Sequence, residues 1–283
     1  MRPDRFLRSK SSGMKRRVSR GTGAFGWLVV LAAATMGYST PAQADSITLA
    51  AVADTTLQSA FPNSNFGGGT TFTAGDRRRG GMTRALLAFD IVGNLPSGAI
   101  INSATLTLTV VEDPAGGVSS IFDLNRLLAG WGEGTGSDYG GTPAGANQAT
   151  WVNRFGTSGS PWTTPGGDFS STVSAARLVA GLGSYTFMST TNLVADVQGW
   201  LDTPADNFGW ILRSESESTR TTIERFGSRD AGANAPRLTL VYTLASEAAP
   251  EVMPEPSTLV LLGLGLGAVA GRGKLAPGFG RTH

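Results

Sequence analysis

Short runs of residues rich in Thr, Val, Leu and aromatic side chains recur along the chain, and Gly, Pro, Asn or Asp bounds each run. This pattern predicts β-strands over residues 46–58, 83–92, 103–112, 184–189, 208–214, 219–228 and 236–244. In the third run the alternation is strict, with three threonines on one face and, on the other, Ala104, Leu106, Leu108 and Val110. A period of two predicts one buried and one solvated face. The pattern indicates an all-β protein.

One segment, residues 190–204, has helical spacing instead. Its apolar residues fall on one helix face: Leu193, Val194, Val197, Trp200 and Leu201. Thr191 or Asn192 is expected to cap the helix, and Pro204 lies beyond its end. A single short helix in a β-rich chain is typical of a lid that crosses one end of a sandwich.

Residues 130–183 form a third kind of segment, with 13 glycines and scattered Ser, Thr and Pro. A long loop region of this kind in a compact domain is usually functional or disordered. Trp131, Tyr139, Trp151 and Trp162 all lie in it, and aromatic residues at this frequency argue against full disorder. We expect one or two strands here, together with exposed loops.

The N-terminus, residues 1–44, has the pattern of a secretory signal peptide. Eight basic residues precede an apolar stretch at residues 24–37, and Ala42 and Ala44 form an A-x-A cleavage site around Gln43. The basic region is long, so translation could start at either Met1 or Met14. The mature protein is expected to begin near Asp45.

The C-terminus, residues 246–283, is expected to be a linker followed by a sorting signal. Pro254, Glu255 and Pro256 precede an apolar segment at residues 258–271, and basic residues follow. A helix of that length reaches about 21 Å, short of the ~30 Å hydrocarbon core of a bilayer. The order of parts resembles the PEP-CTERM sorting signal of Gram-negative bacteria that make exopolysaccharide. That resemblance implies recognition by an exosortase after export and only transient contact with the membrane; a weak tail anchor is the alternative.

The charge of the chain changes once these ends are set aside. The precursor has a formal net charge of +2, but residues 45–250 contain 12 arginines and no lysine against 18 acidic residues, a net charge of −6. Nucleic acid is therefore not expected as a partner, because binding to nucleic acid depends on clustered positive charge. The chain has no cysteine, and its one histidine is His283. This excludes Ser-His-Asp and Cys-His catalysis and ordinary zinc sites in the mature protein, and leaves carboxylates and hard cations as chemical options.

Several stretches in order along residues 45–245 resemble a DNRLRE domain, a secreted β-sandwich counted among carbohydrate-binding modules. These stretches are "DTTLQSAFPNSNFGGGTTFTAG", "TRALLAFDI", "FDLNRLLAGWGEG", "ATWVNRFG", "NFGWILRSES" and "FGSRDAGANAPRLTLVYT". The resemblance implies a jelly-roll-like β-sandwich that binds polysaccharide, usually without catalysis. It also places Trp131, Trp151 and Glu133 at framework positions.

The candidate carbohydrate-binding residues are two aromatic residues and an arginine cluster. Trp162 and Tyr139 lie outside the framework pattern, and their rings could stack on the apolar faces of sugars; core packing is the alternative for any of these aromatic residues. Arg77, Arg78 and Arg79 form the one concentrated positive feature of the mature chain. Arginine forks bind carboxylates or sulfates, which would suit an acidic exopolysaccharide. The alternative is a solvated turn between strands.

Two sets of oxygen ligands could hold Ca²⁺, although neither has the spacing of a known loop motif. They are Asp54, Asn63 and Asn65, or Glu112 and Asp113. No other cofactor is expected.

Glu133 and Asp138 are the candidates for a catalytic carboxylate pair. Arg84 and Asp90 share one face of a predicted strand. This placement favours a structural network of ion pairs over a catalytic role.

The sequence thus predicts a secreted or surface-sorted, non-catalytic β-sandwich that binds extracellular polysaccharide. A carboxylate-dependent polysaccharide lyase or hydrolase, and a structural biofilm protein without a defined ligand, are the alternatives.

Overall fold

The computed structural model describes residues 43–77, 81–114, 116, 118–137, 140–156, 159–217, 219 and 221–244. In chain order the strands are β1 (Ala44–Gln58), β2 (Ser64–Asn65), β3 (Thr71–Asp76), β4 (Met82–Phe89), β5 (Ala99–Glu112), β6 (Ser120–Leu127), β7 (Thr142–Pro143), β8 (Phe169–Val179), β9 (Gly183–Phe187), β10 (Trp210–Ser214), β11 (Glu224–Gly227) and β12 (Arg237–Leu244). The described part also contains one α-helix, α1 (Thr191–Asp202), and two 3-10 turns, Pro204–Asp206 and Gly232–Asn234.

The strands pair in antiparallel fashion throughout, in the order β1-β12-β5-β11-β3-β4-β10-β6-β8, with β9 beside β5. The first strand joins the two layers of the fold, because its first half pairs with β12 and its second half with β4. A register shift between Ala51 and Ala53 marks the change of partner. The short strands β2 and β7 pair only with each other. This arrangement confirms the predicted all-β sandwich with one short helix.

The main core lies between the two layers and follows the alternation of the sequence. Ala104, Leu106, Leu108 and Val110 of β5 are all buried, as predicted. Residues that oppose them from the other layer include Leu87, Phe89, Phe122, Leu124, Trp210 and Leu212. Because alternate residues of a strand point to opposite faces, the threonines between the apolar residues of β5 lie on the outer face, partly exposed.

The helix α1 packs against the core, and the sequence located it correctly. It buries Leu193, Val197 and Trp200, and the Trp200 ring lies 4.5 Å from the Trp210 ring, centroid to centroid. The predicted cap is wrong by one residue. Thr190 is the N-cap, and its Oγ1 accepts a hydrogen bond from the Leu193 backbone N–H at 3.0 Å. An extended backbone at Thr190 places its hydroxyl over the first turn, as N-cap residues do.

A second apolar layer, which the local sequence patterns did not predict, covers the outer face of β4, β6 and β10. Leu57, Leu86, Leu127 and Ile211 point outward from the sandwich, yet they are buried. The residues that cover them come from the glycine-rich segment and include Ala149, Trp151 and Trp162. Both faces of β4 are therefore buried, and a groove forms where the covering segment meets the sheet.

Candidate functional site

An open groove of about 800 Å³ lies between β4, β8 and the covering segment at residues 151–168. Its lining residues are Met82, Arg84, Leu128, Ala129, Trp151, Arg154, Pro161, Thr163, Thr164, Pro165, Gly167, Asp168 and Phe169. The lining combines apolar side chains, two threonines, two arginines and one carboxylate. Volumes of this order are typical of ligand sites.

Arg84 forms the base of the groove and ties the covering segment to the sheet. Its Nε and Nη2 donate to the two carboxylate oxygens of Glu217 at 2.6 and 2.8 Å, and its Nη1 donates to the Gly166 carbonyl at 2.9 Å. Its guanidinium carbon also lies 5.2 Å from the ring centroid of Trp151. A bidentate contact with a carboxylate fixes the orientation of an arginine, so Arg84 is a structural residue here. Its partner is Glu217 and not Asp90, whose Oδ1 instead accepts the Gly93 N–H in a turn.

Phe169 forms one wall of the groove and is flanked by two guanidinium groups. Its ring centroid lies 5.3 Å from the guanidinium carbon of Arg84 and 5.6 Å from that of Arg213. Arg213 in turn pairs with Asp123 at 3.0 Å. Burial raises the pKa of Asp123 above its ordinary value, and the charge of Arg213 counteracts that increase. Both guanidinium groups beside the ring are therefore already paired with carboxylates.

The covering segment is anchored by its tryptophans. The Trp162 indole N–H donates to the Thr150 carbonyl at 2.9 Å, and the Gly166 N–H donates to the Trp151 carbonyl at 2.7 Å. Gly166 has a φ of +97°, and a Cβ at this position would lie 2.7 Å from Nη1 of Arg84. Glycine is therefore required where the loop meets the arginine.

The rim of the groove presents polar groups to solvent. Asp168 accepts the backbone N–H groups of Thr163 and Thr164 at 2.9 and 3.0 Å, which orders the loop and leaves both threonine side chains exposed. Arg154 lies over the Phe155 ring at 5.7 Å and, among the described residues, has no carboxylate partner. It is the groove's available positive charge, since Arg84 is already paired.

The structure corrects the prediction for Trp162. Its side chain is only 3% exposed and packs in the second apolar layer, so neither face is open to a sugar ring. The residue supports the groove from below instead. Trp151 is buried as well, and Trp131 is partly exposed, with its indole N–H donating to the Phe208 carbonyl at 2.9 Å.

The arginine cluster is only partly described. Arg77 donates from Nη1 to Gln58 Oε1 at 2.9 Å, and its guanidinium carbon lies 5.6 Å from the Phe61 ring centroid. It does not line the groove. Arg78, Arg79 and the candidate Tyr139 lie outside the described residues, as do Asp138, Ala42 and the sorting triplet at residues 254–256.

In the first predicted calcium set, Asn65 is already engaged in hydrogen bonds. Asn65 uses its amide to fix loops: Nδ2 donates to the carbonyls of Glu133 and Ala149, and Oδ1 accepts the N–H groups of Gly67 and Gly136. The amide oxygen is therefore occupied by hydrogen bonds. Within the described part of the chain, no group of three acidic, histidine or cysteine side chains has an arrangement that could hold a metal ion.

Asp54 belongs instead to a cluster with Glu133, Arg229 and Asp230. Its backbone N–H donates to Glu133 Oε1 at 2.9 Å, and its own Oδ2 accepts the Arg229 N–H at 2.6 Å. Burial raises the pKa of Asp54 to about 7; the hydrogen bond from the Arg229 backbone lowers it, and the neighbouring charges of Glu133 and Asp230 raise it. The hydrogen bond to Glu133 raises the pKa of Arg229.

Glu133, proposed as one member of a catalytic pair, is engaged in this cluster. Its Oε1 lies 2.6 Å from Nε of Arg229 in an ion pair. This carboxylate therefore accepts both a backbone N–H and a guanidinium N–H. Of the second calcium set, Glu112 pairs with Arg225 at 2.9 Å, and Asp113 Oδ1 accepts the Gly116 N–H at 2.8 Å.

The groove residues Arg154, Asp168 and Phe169 were not among the residues singled out from the sequence. Residues 85–89, "ALLAF", carried the usable signal, because a continuous apolar run is typical of a strand that is buried on both faces. Such a strand requires a second covering layer, and the glycine-rich segment was available to provide it.

Comparison with known proteins adds the sorting signal. Residues 254–274 match the family model of the PEP-CTERM protein-sorting motif, whereas a search of curated proteins gives no significant match to the chain. In the part of the chain that the structure describes, no helix combines the length and the apolar character that crossing a membrane requires. The fold and the motif together define a class: a bacterial all-β sandwich that is exported, recognised by an exosortase and sorted to the cell surface or released.

Proposed function

We propose that this protein is a non-catalytic carbohydrate-binding or adhesion protein of the extracellular polysaccharide matrix, and that the groove beside Arg154 is its binding site. The observation that carries the proposal is the composition of that open groove, about 800 Å³ in volume. The resemblance to the DNRLRE domain and the sorting motif support the same assignment. The matrix of a Gram-negative cell is the proposed setting.

The chemistry of the groove suits a sugar. Leu128, Pro161 and Pro165 are exposed in its lining and offer apolar surface to the C–H faces of a pyranose, while the exposed hydroxyls of Thr163 and Thr164 can exchange hydrogen bonds with sugar hydroxyls. The site is concave and supported by a rigid base. A preorganised site loses less conformational entropy when a ligand binds.

Arg154 supports an acidic polysaccharide as the ligand. An arginine that has no carboxylate partner in the described structure can form paired hydrogen bonds with a ligand carboxylate or sulfate. The rest of the mature chain is acidic, with a net charge of −6 over residues 45–250. Binding would therefore depend on a local positive charge and weaken as ionic strength rises.

The proposal of a non-catalytic protein follows from the side chains that are available. The mature chain has no cysteine and no histidine before His283, and Glu133 is held by Arg229. Asp168, the carboxylate of the groove, accepts two backbone N–H groups. Turnover of an acidic glycan by the exported protein, lost in Glu133→Gln, would instead establish the lyase or hydrolase alternative.

The test is affinity electrophoresis of the exported protein through native gels that contain the producing organism's own exopolysaccharide. We expect the polysaccharide to retard the wild type and Arg154→Gln to abolish most of that retardation. Arg177→Gln is the matched control, because Arg177 is exposed on β8, does not line the groove and undergoes the same change of charge. Equal retardation of all three proteins would refute the assignment of the groove. No retardation of the wild type would leave the sandwich as a structural scaffold.

A further inference from the structure

Glu224 is a buried carboxyl group that the proposed binding site does not use. It lies on β11 beside the core residue Phe226, and only 1% of its surface is exposed. Its Oε1 accepts the Gly181 N–H at 3.0 Å, whereas Oε2 accepts no hydrogen bond from any described residue. Buried carboxylate oxygens are nearly always paired, so this orphan oxygen requires a partner.

A second carboxylate faces the same turn. Asp113 follows the end of β5, and its Oδ2 would lie 3.3 Å from a Cβ placed on Gly181. The turn at residues 180–182 is itself held in place, because the Tyr185 hydroxyl donates to the Gly181 carbonyl at 2.9 Å. Burial raises the pKa of Glu224 to about 7; the hydrogen bond from Gly181 lowers it, and the negative charge of Asp113 raises it further. The negative charges of Asp113 and Glu224 therefore repel each other at the turn that contains Gly181.

We propose that Asp113 and Glu224 bind one Ca²⁺ ion between the end of β5, the start of β11 and the turn that connects β8 to β9. A hard cation takes oxygen ligands, and it would both pair the orphan Oε2 and offset the repulsion between the carboxylates. Main-chain carbonyls and water commonly complete such a coordination shell. With two carboxylates, the affinity falls in the range of extracellular calcium modules, a Kd of roughly 10⁻⁴ to 10⁻³ M.

The competing explanation is that a proton occupies the site and Glu224 stays neutral. The two explanations differ in what they predict for Glu224→Gln, whose amide has nearly the same shape and no charge. If Ca²⁺ is the native partner, the substitution removes the response to calcium. In the presence of a chelator, the same variant should be at least as stable as the wild type, because it no longer buries a charge that lacks a partner.

The experiment measures the thermal unfolding midpoint of the exported protein at pH 8, with a chelator and with millimolar Ca²⁺. Calorimetric titration with Ca²⁺ gives the stoichiometry. We expect one saturable site and a higher midpoint with Ca²⁺ in the wild type, and neither in Glu224→Gln or Asp113→Asn. Glu112→Gln is the matched control: its carboxylate is adjacent in sequence but pairs with Arg225, so this variant should keep the calcium response.

Two outcomes would overturn the assignment. The wild type could bind no Ca²⁺ and unfold at the same temperature in both conditions, which would leave the proton as the occupant. Alternatively, both Glu224→Gln and Asp113→Asn could keep the full response, which would place the ion elsewhere. If Asp113→Asn does not fold, Glu224→Gln decides the question alone, because the chelator arm provides its own measure of folding.

Discussion

The ion pair between Arg84 and Glu217 should be a strong link between β4 and the connection from β10 to β11, and it orients the arginine that also holds the covering segment through Gly166. The two side chains are 13% and 14% exposed and meet through two hydrogen bonds. Replacing Arg84 with Met would remove both bonds, the bond to the Gly166 carbonyl and the contacts with the rings of Trp151 and Phe169. It would also leave a mostly buried carboxylate without a cation.

The expected cost follows from these contacts. Removing one partner of a largely buried pair destabilises a protein by about 3 to 5 kcal/mol, most of it from the uncompensated charge that remains. The interaction itself is smaller: hydrogen bonds to charged groups contribute about 1.5 to 3 kcal/mol. A double-mutant cycle that combines Arg84→Met with Glu217→Gln separates the two quantities. We expect a coupling energy of about 2 to 3 kcal/mol.

The assay is urea unfolding followed by tryptophan fluorescence, since Trp151 and Trp162 lie in the covering segment. A second cycle on Arg225 and Glu112 serves as the control. The closest charged atoms of that pair lie 2.9 Å apart, but Glu112 is 44% exposed, so the coupling energy of the control pair should be at most about 1 kcal/mol. If the Arg84 pair couples no more strongly than the control pair, burial does not govern the strength of this ion pair and the reasoning is refuted.

Three further outcomes are expected. Burial raises the pKa of Asp54 in the folded protein from 3.8 to about 7. A carboxyl group whose pKa is higher in the folded than in the unfolded state stabilises the fold below pH 4, and this stabilisation is lost as the pH rises to 7. Between pH 4 and pH 8, the free energy of unfolding of the wild type, measured with urea, should therefore fall by about 4 kcal/mol relative to that of Asp54→Asn. A difference between the two proteins that stays the same at both pH values would contradict this prediction. Trp162→Phe removes a buried hydrogen bond and should lower the free energy of unfolding by about 1 to 2 kcal/mol, with native circular dichroism as the control. Mass spectrometry of the exported protein should find a C-terminus near residues 254–256, and a chain intact through His283 would argue for a retained tail.

The sandwich was predictable because its signals are local. Alternation in residues 103–111 specifies a strand with one buried face, and all four predicted apolar positions are buried in the structure. The helix followed from its apolar spacing and from Pro204 beyond its end. Only the cap was misplaced, because three polar residues in succession, Thr190, Thr191 and Asn192, can each cap a helix.

The groove was not predictable because long-range contacts create it. Arg84 is separated from Glu217 by 133 positions and from Gly166 by 82, and no local pattern specifies either pairing. Trp162 shows the same limit. Its setting, "SPWTTPGG", is typical of an exposed loop, yet the ring is buried because residues far away in sequence, including Leu57 and Ile211, supply an apolar surface beneath it.

The path of β1 relates the groove to the end of the last strand, β12. At one end Ala44 pairs with Thr243, close to where the chain continues toward the sorting motif; at the other end Gln58 pairs with Thr83, next to Arg84 of the groove. A strand of 15 residues follows a path of about 46 Å at the usual rise per residue. The groove and the exit of the chain therefore lie at opposite ends of one strand.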